Sequence, residues 1–150
     1  MVGGSGATMG LVICYLRSRS AHLRSIGRLS VVPSIFNINE PVIFGTPIVM
    51  NPVFFIPFLL APMVNAVLAW AAMKLDLIGR VISVVPWTAP APVGAAWALG
   101  WDYRAAILVV LLALVSAVIY FPFFKVYEKQ LLAQEAEEAE RAEQESQQTA

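Results

Sequence analysis

A chain of 150 residues is long enough for one modest domain. Its composition, 59% hydrophobic and 13% charged with a mean hydropathy of +0.71, sets it apart from soluble globular domains, in which about a quarter of residues are charged. Ten basic and ten acidic residues cancel, but they are segregated: acidic residues crowd between Glu135 and Glu145, basic ones between Arg17 and Arg28, and from Leu29 to Met73 the sole ionisable side chain is Glu40. One cysteine, Cys14, and one histidine, His22, exclude a disulfide framework and a Cys/His metal site.

In chain order, Val2 to Leu16 is uncharged and closes at Arg17. It falls short of the roughly 20 apolar residues a spanning helix needs. A signal peptide would carry its positive charge before the apolar run rather than after it. The stretch is therefore predicted to be a partial span, 2–16, whose start lies further upstream. Gly6 and Gly10 form a small-xxx-small pair suited to close helix packing in lipid. Arg17, Arg19, Arg24 and Arg28 mark 17–28 as a basic cytoplasmic loop under the positive-inside rule, a topology signal rather than a nucleic-acid contact. His22 reads as a solvated histidine of that loop.

Val53 to Met73 is uncharged and long enough to span. Pro57 and Pro62 interrupt it, a feature tolerated in a membrane bundle where neighbours satisfy the freed backbone groups, and Asn65 is expected to face protein. Ala105 to Phe124 is the cleanest span. It ends in Tyr120, Pro122, Lys125 and Tyr127, an aromatic and lysine boundary that favours a cytoplasmic end. The acidic segment 130–150 is predicted to be a solvated cytoplasmic helix, supported by Glu137 and Arg141 at i,i+4 and fraying after Ser146.

Two further segments are apolar yet poorly built for spanning. Residues 30–52 contain Pro33, Asn37, Asn39, Glu40, Pro41, Gly45, Pro47, Asn51 and Pro52, and residues 81–101 contain Pro86, Pro90, Pro92, Gly94 and Gly100. Irregular backbone at membrane depth survives only inside protein or beside a wet cavity, and such broken segments point to transporter binding sites. The first reads as a re-entrant hairpin, the second as a membrane-buried loop with short helical pieces. The expected fold class is an all-α, polytopic membrane protein.

The chemistry concentrates in Phe36-Asn37-Ile38-Asn39-Glu40-Pro41. A carboxylate at membrane depth is costly and marks function by default. Pro41 biases Glu40 toward extended backbone, and Asn37 and Asn39 add amide donors and acceptors. Such a polar turn suits a hydroxyl-rich ligand, whose hydroxyls donate to carboxylate oxygens. Equally, Glu40 could pair with a basic residue and only hold the hairpin together. Trp87, within Val85-Pro86-Trp87-Thr88-Ala89-Pro90, offers a flat apolar plate with an N–H donor, serving either a sugar ring or packing. Trp70, Trp97 and Trp101 read as packing or interface anchors.

Several blocks are similar to one family. These are Gly3-Gly4-Ser5-Gly6-Ala7-Thr8-Met9-Gly10-Leu11, Leu29-Ser30-Val31-Val32-Pro33, Phe36-Asn37-Ile38-Asn39-Glu40-Pro41-Val42-Ile43-Phe44-Gly45, Pro86-Trp87-Thr88 and Tyr120-Phe121-Pro122-Phe123-Phe124-Lys125-Val126-Tyr127. In this order they resemble the membrane permease, enzyme IIC, of lactose/cellobiose phosphotransferase systems. The resemblance covers residues 1–129 as the C-terminal part of a permease transport domain.

It implies a multi-pass protein of the bacterial inner membrane with a cytoplasmic C-terminus, homodimeric at full length. Such a protein binds a β-linked disaccharide of the cellobiose, chitobiose or lactose class and passes it to phosphorylated enzyme IIB. By the same resemblance Glu40 contacts sugar hydroxyls, Trp87 lies in the sugar pocket and Asn39 neighbours them. No catalytic residue, metal, cofactor or nucleic-acid partner is expected, and the chain by itself is not expected to catalyse. Cys14, with no phosphate loop after it, does not match the phosphorylated cysteine of enzyme IIB, and His22 does not match the family's sugar-contacting histidine. A non-transporting membrane or assembly subunit, and an ion-coupled transporter with Glu40 as its proton site, are the competing readings. A soluble enzyme lacks support, since nucleotide-loop, triad and metal-cluster spacings are all missing.

Overall fold

The computed structural model of the protein describes residues 3–148, and among these all regular structure is helical. The opening stretch departs from the expected helix. Gly3, Gly4 and Gly6 take φ of 74°, 84° and 78°, the left-handed region that glycine enters freely. The chain therefore makes a 3-10 turn at Ser5–Ala7 before α1 (Met9–Leu16) begins. The partial span expected over 2–16 is corrected to a glycine turn and an eight-residue helix; Val2 lies outside the described residues.

The basic loop expected over 17–28 is also corrected, being loop only through Ser20. Ser20 has extended backbone, and its Oγ accepts the Leu23 N–H at 3.4 Å. This N-cap starts α2 (Ala21–Ile35), which carries Arg24 and Arg28 and runs on through Pro33. Past Ile35 the chain turns at Asn37, whose φ is 61°. The short α3 (Glu40–Gly45) then packs along α2, with Gly45 close against Ile26. Pro41 sits in the first turn of α3, where its missing N–H costs nothing.

Asn51 caps α4 (Pro52–Lys74) by accepting the Val53 N–H at 3.0 Å. The 23 residues of α4 extend about 35 Å at the helical rise, enough to cross a hydrocarbon core of about 30 Å. Pro57 and Pro62 lie inside it without ending it. The segment 81–90 is non-helical and folds back on α5 (Ala91–Ala98), with the Ile82 N–H donating to Ala98 O at 2.9 Å. The last helix, α6 (Tyr103–Gln148), has 46 residues and a length of about 69 Å. The apolar span and the acidic tail are thus one helix with no break near 124–130. It passes Ser146, where fraying was expected; residues 149–150 lie outside the described residues.

α6 is the spine on which α1, α4 and α5 pack. The α1 contact depends on Gly10, where a Cβ would lie 2.3 Å from the Ala117 N and 2.6 Å from its Cα. Small residues let backbones meet this closely in apolar surroundings, where dispersion and hydrogen bonds hold helices together. Gly6 serves differently: it lies in the turn, and its carbonyl accepts the Tyr120 hydroxyl at 2.7 Å. Asn65 is buried and donates to Ser116 Oγ at 2.8 Å, tying α4 to α6. Around the fully buried Tyr15 stand Phe54 and Phe124, with centroids 6.3 and 6.0 Å away, and its hydroxyl meets Thr46 Oγ1 at 2.7 Å.

Where the apolar half of α6 ends, Glu128 is buried and joins α6 to the α1–α2 turn. Ser18 Oγ and the Arg19 N–H both donate to its Oε1 at 2.7 Å, and Lys125 Nζ lies 3.5 Å from Oε2. Two turns further along α6, Ser20 Oγ donates to Glu135 Oε1 at 2.6 Å. Elsewhere α4 and α6 remain bare. Only 22% of the most apolar stretch of each is buried, whereas the core helix of a water-soluble domain is covered by its neighbours. Their length, composition and uncovered apolar sides are those of helices solvated by lipid or by other membrane-embedded protein.

Two substitutions test this packing. Gly10→Ala forces α1 off α6 and should cost about 1–3 kcal/mol, read as a lower thermal midpoint in detergent; an unchanged midpoint contradicts the backbone contact. Glu128→Ala leaves the Ser18 hydroxyl and Arg19 amide without their acceptor and should cost about 1.5–3 kcal/mol. Equal stability to the parent chain would show that the buried carboxylate does not hold the two segments together.

Candidate functional site

Three irregular pieces of chain meet beside α5 and α6: the glycine turn, the α2–α3 turn and the 81–90 segment. Asn37 is the tie. Its Oδ1 accepts the Gly3 N–H at 3.2 Å, and its Nδ2 donates to the carbonyls of Trp87 at 3.0 Å and Ala89 at 2.9 Å. The left-handed backbone of Asn37 is one that asparagine tolerates better than other side chains do. Asn39, buried to 5% exposure, points its Nδ2 at Ser5 O, and Thr8 Oγ1 closes the turn by donating to Gly3 O at 2.6 Å. Gly4 permits this convergence, because a Cβ there would lie 2.6 Å from Asn37 O and 2.7 Å from the Asn39 amide.

The pieces enclose an open cleft of about 480 Å³, within the range usual for small-molecule sites. Glu40, Asn39 and Trp87 all line it, together with Asn37, Ser5 and Pro86. Residues nearly fifty positions apart in the chain are thereby brought to one cavity. Glu40 is exposed in the first turn of α3. The only ion pair among the described residues joins Lys125 to Glu128, so Glu40 has no cationic partner there. Trp87 is 71% exposed, its indole uncovered by other side chains. Among the described residues no group of three His, Cys, Asp or Glu side chains is placed to hold a metal.

Asn37 is the residue that sequence reasoning undervalued, taking it as a neighbouring amide rather than the link between the two broken segments. Its signal is positional: an asparagine where a helix must end and the chain must turn. Trp97 and Trp101 fall outside the cleft lining. His22 lies on α2, in the basic stretch, exposed. Cys14 is buried in α1.

The fold and cleft define a class: an all-helical membrane protein whose interrupted segments fold together around a ligand-sized cavity lined by polar and apolar side chains. The residues 1–62 match the family described as Phosphotransferase system, EIIC. Over 136 residues the chain is 43% identical to the lichenan permease IIC component of Bacillus subtilis, covering 89% of this chain and 30% of that protein. It is 45% identical over 138 residues to the lactose-specific EIICB component of Streptococcus mutans (89% and 24%) and 44% over 122 residues to the cellobiose-specific EIIC component of Lactococcus lactis (81% and 25%). The crystal structure of ChbC, the IIC component of an N,N'-diacetylchitobiose-specific phosphotransferase system, superposes with a TM-score of 0.87 at 43% identity, covering 90% of this chain and 32% of that one. The chain belongs to the EIIC family of the phosphotransferase system, corresponding to a C-terminal portion of it. It spans a third or less of the length of the relatives it matches.

If Asn37 holds the cleft together, Asn37→Ala frees both the 81–90 segment and the glycine turn. Hydrogen–deuterium exchange should rise in peptides covering 3–8 and 81–90 while α4 and the apolar half of α6 keep their protection. Unaltered exchange in both peptides would contradict the tie.

Proposed function

We propose that this chain supplies the sugar-contacting cleft of a phosphotransferase-system permease, which takes up a β-linked disaccharide of the cellobiose, chitobiose or lactose class. The observation that carries the reading is the pairing, in one cleft, of a carboxylate that has no cationic partner among the described residues with an uncovered indole. Glu40 accepts from sugar hydroxyls through charge-assisted hydrogen bonds. Trp87 stacks against the apolar C–H face of a pyranose ring. Asn39, its Nδ2 committed to Ser5, offers Oδ1 as a further acceptor. The names of the relatives, which specify lichenan, lactose, cellobiose and chitobiose systems, support this sugar class.

In this reading residues 1–129 belong to the transport domain, residues 30–52 form a re-entrant hairpin and residues 81–101 a membrane-buried loop. The acidic residues 130–150 lie on the cytoplasmic side of a bacterial inner membrane. The partner is phosphorylated enzyme IIB, which phosphorylates the sugar as it leaves the cleft; relatives named EIICB support that coupling. The permease works as a homodimer, and no cofactor or metal takes part in the step at this cleft.

The test is Glu40→Gln in the intact permease. A hydrogen bond to a charged group contributes about 1.5–3 kcal/mol, so disaccharide affinity measured by calorimetry should fall at least tenfold while membrane insertion is unchanged. Unaltered affinity removes Glu40 from the site. Binding of no disaccharide by the parent protein would favour a non-transporting membrane subunit instead.

A further inference from the structure

A second cavity, about 340 Å³ in volume, opens between α1 and α6. Its wall is apolar, built from Ile13 on α1 and Ala117, Val118 and Phe121 on α6, and it ends at two cations, Arg17 and Lys125. The hydrogen bonds of Ser18 and Arg19 to Glu128 hold the two helices so that their apolar runs stop at one level. Arg17 directly follows α1, and Lys125 directly follows Phe124 on α6. Both are exposed, and Arg17 has no ion pair among the described residues. Lys125 lies over the Phe121 ring at 5.7 Å and shares its charge with Glu128. An apolar furrow between membrane helices that ends in two cations at the apolar boundary has the polarity of a phospholipid, acyl chain below and phosphate above.

We infer that this furrow between α1 and α6 is a binding site for an anionic phospholipid, whose acyl chain lies along Ile13, Ala117, Val118 and Phe121 and whose phosphate is held by Arg17 and Lys125. Two charge-assisted contacts favour an anionic headgroup over a zwitterionic one, since a choline would bring its own cation to Arg17. Basic pockets between membrane helices recognise headgroups in this way. Arg17, free of a carboxylate, carries the larger share. The site is separate from the sugar cleft: none of its lining residues is shared with Glu40, Asn39 or Trp87. By bridging α1 and α6, the lipid would brace the contact at Gly10.

The experiment is native mass spectrometry of the full chain. The protein is taken from vesicles containing equal phosphatidylglycerol and phosphatidylcholine with matched acyl chains and released in mild detergent. The parent chain should retain phosphatidylglycerol in preference. Arg17→Gln should lower that retention about fivefold, the effect of one charge near a membrane surface, and Lys125→Gln somewhat less. Lys74→Gln with Arg80→Gln, which removes two charges away from the furrow, should leave retention unchanged. A thermal melt of each variant checks folding, and a second variant, Val118→Trp, fills the furrow without touching a charge and should also expel the lipid. Equal retention of both lipids by the parent chain, or an equal loss in the Lys74/Arg80 control, overturns the inference, as does full retention in Arg17→Gln.

Discussion

A backbone amide or carbonyl left unpaired in an apolar environment costs several kcal/mol, and this chain has three stretches that neither helix nor sheet can satisfy. They satisfy each other. Asn37 accepts from the glycine turn and donates twice to the 85–90 segment, while Asn39 donates to Ser5. Two asparagines thus replace the missing secondary structure at the point where three interrupted segments converge. The fold around them follows: α1 can lie flat on α6 through Gly10 only because the glycine turn ends in a fixed place, anchored there by the Tyr120 hydroxyl on Gly6 O.

The same convergence makes the cleft. Because the broken segments are held by their backbones, the side chains of Glu40 and Trp87 are left over and face the cavity they line. A carboxylate without a cationic partner is poorly suited to stabilising a fold and well suited to a ligand that brings its own donors. On the proposed reading, a sugar ligand accounts for the one charge in a stretch otherwise free of ionisable groups from Leu29 to Met73. Further along α6 the chain uses a carboxylate in the other way: Glu128 is buried and fully engaged, a fastening rather than a receptor.

Much of this was legible in the residues. Long uncharged apolar runs placed α4 and the first half of α6, whose length and composition need no tertiary context to be read. The Asn-Glu-Pro string and the Trp87 segment both stood out as polar or proline-rich interruptions, and both line the cleft. What was not legible depends on long-range partners. Three glycines within six residues give no sign, by hydropathy, of the left-handed turn they form. The basic stretch looked like loop because charge masked the N-cap Ser20, whose role shows only when Leu23 follows in a helix. The double role of Asn37 and the reach of Glu128 to Ser18, 110 residues away in sequence, could not be read from spacing at all.

The most direct test of the proposed sugar site is photolabelling of the membrane-embedded protein with a disaccharide carrying a small photoreactive group, followed by peptide mapping. The account predicts adducts confined to 37–40 and 85–89, and their loss when unmodified disaccharide is added in excess. Adducts elsewhere that excess sugar still displaces would place the ligand outside the cleft and contradict the assignment of Glu40 and Trp87.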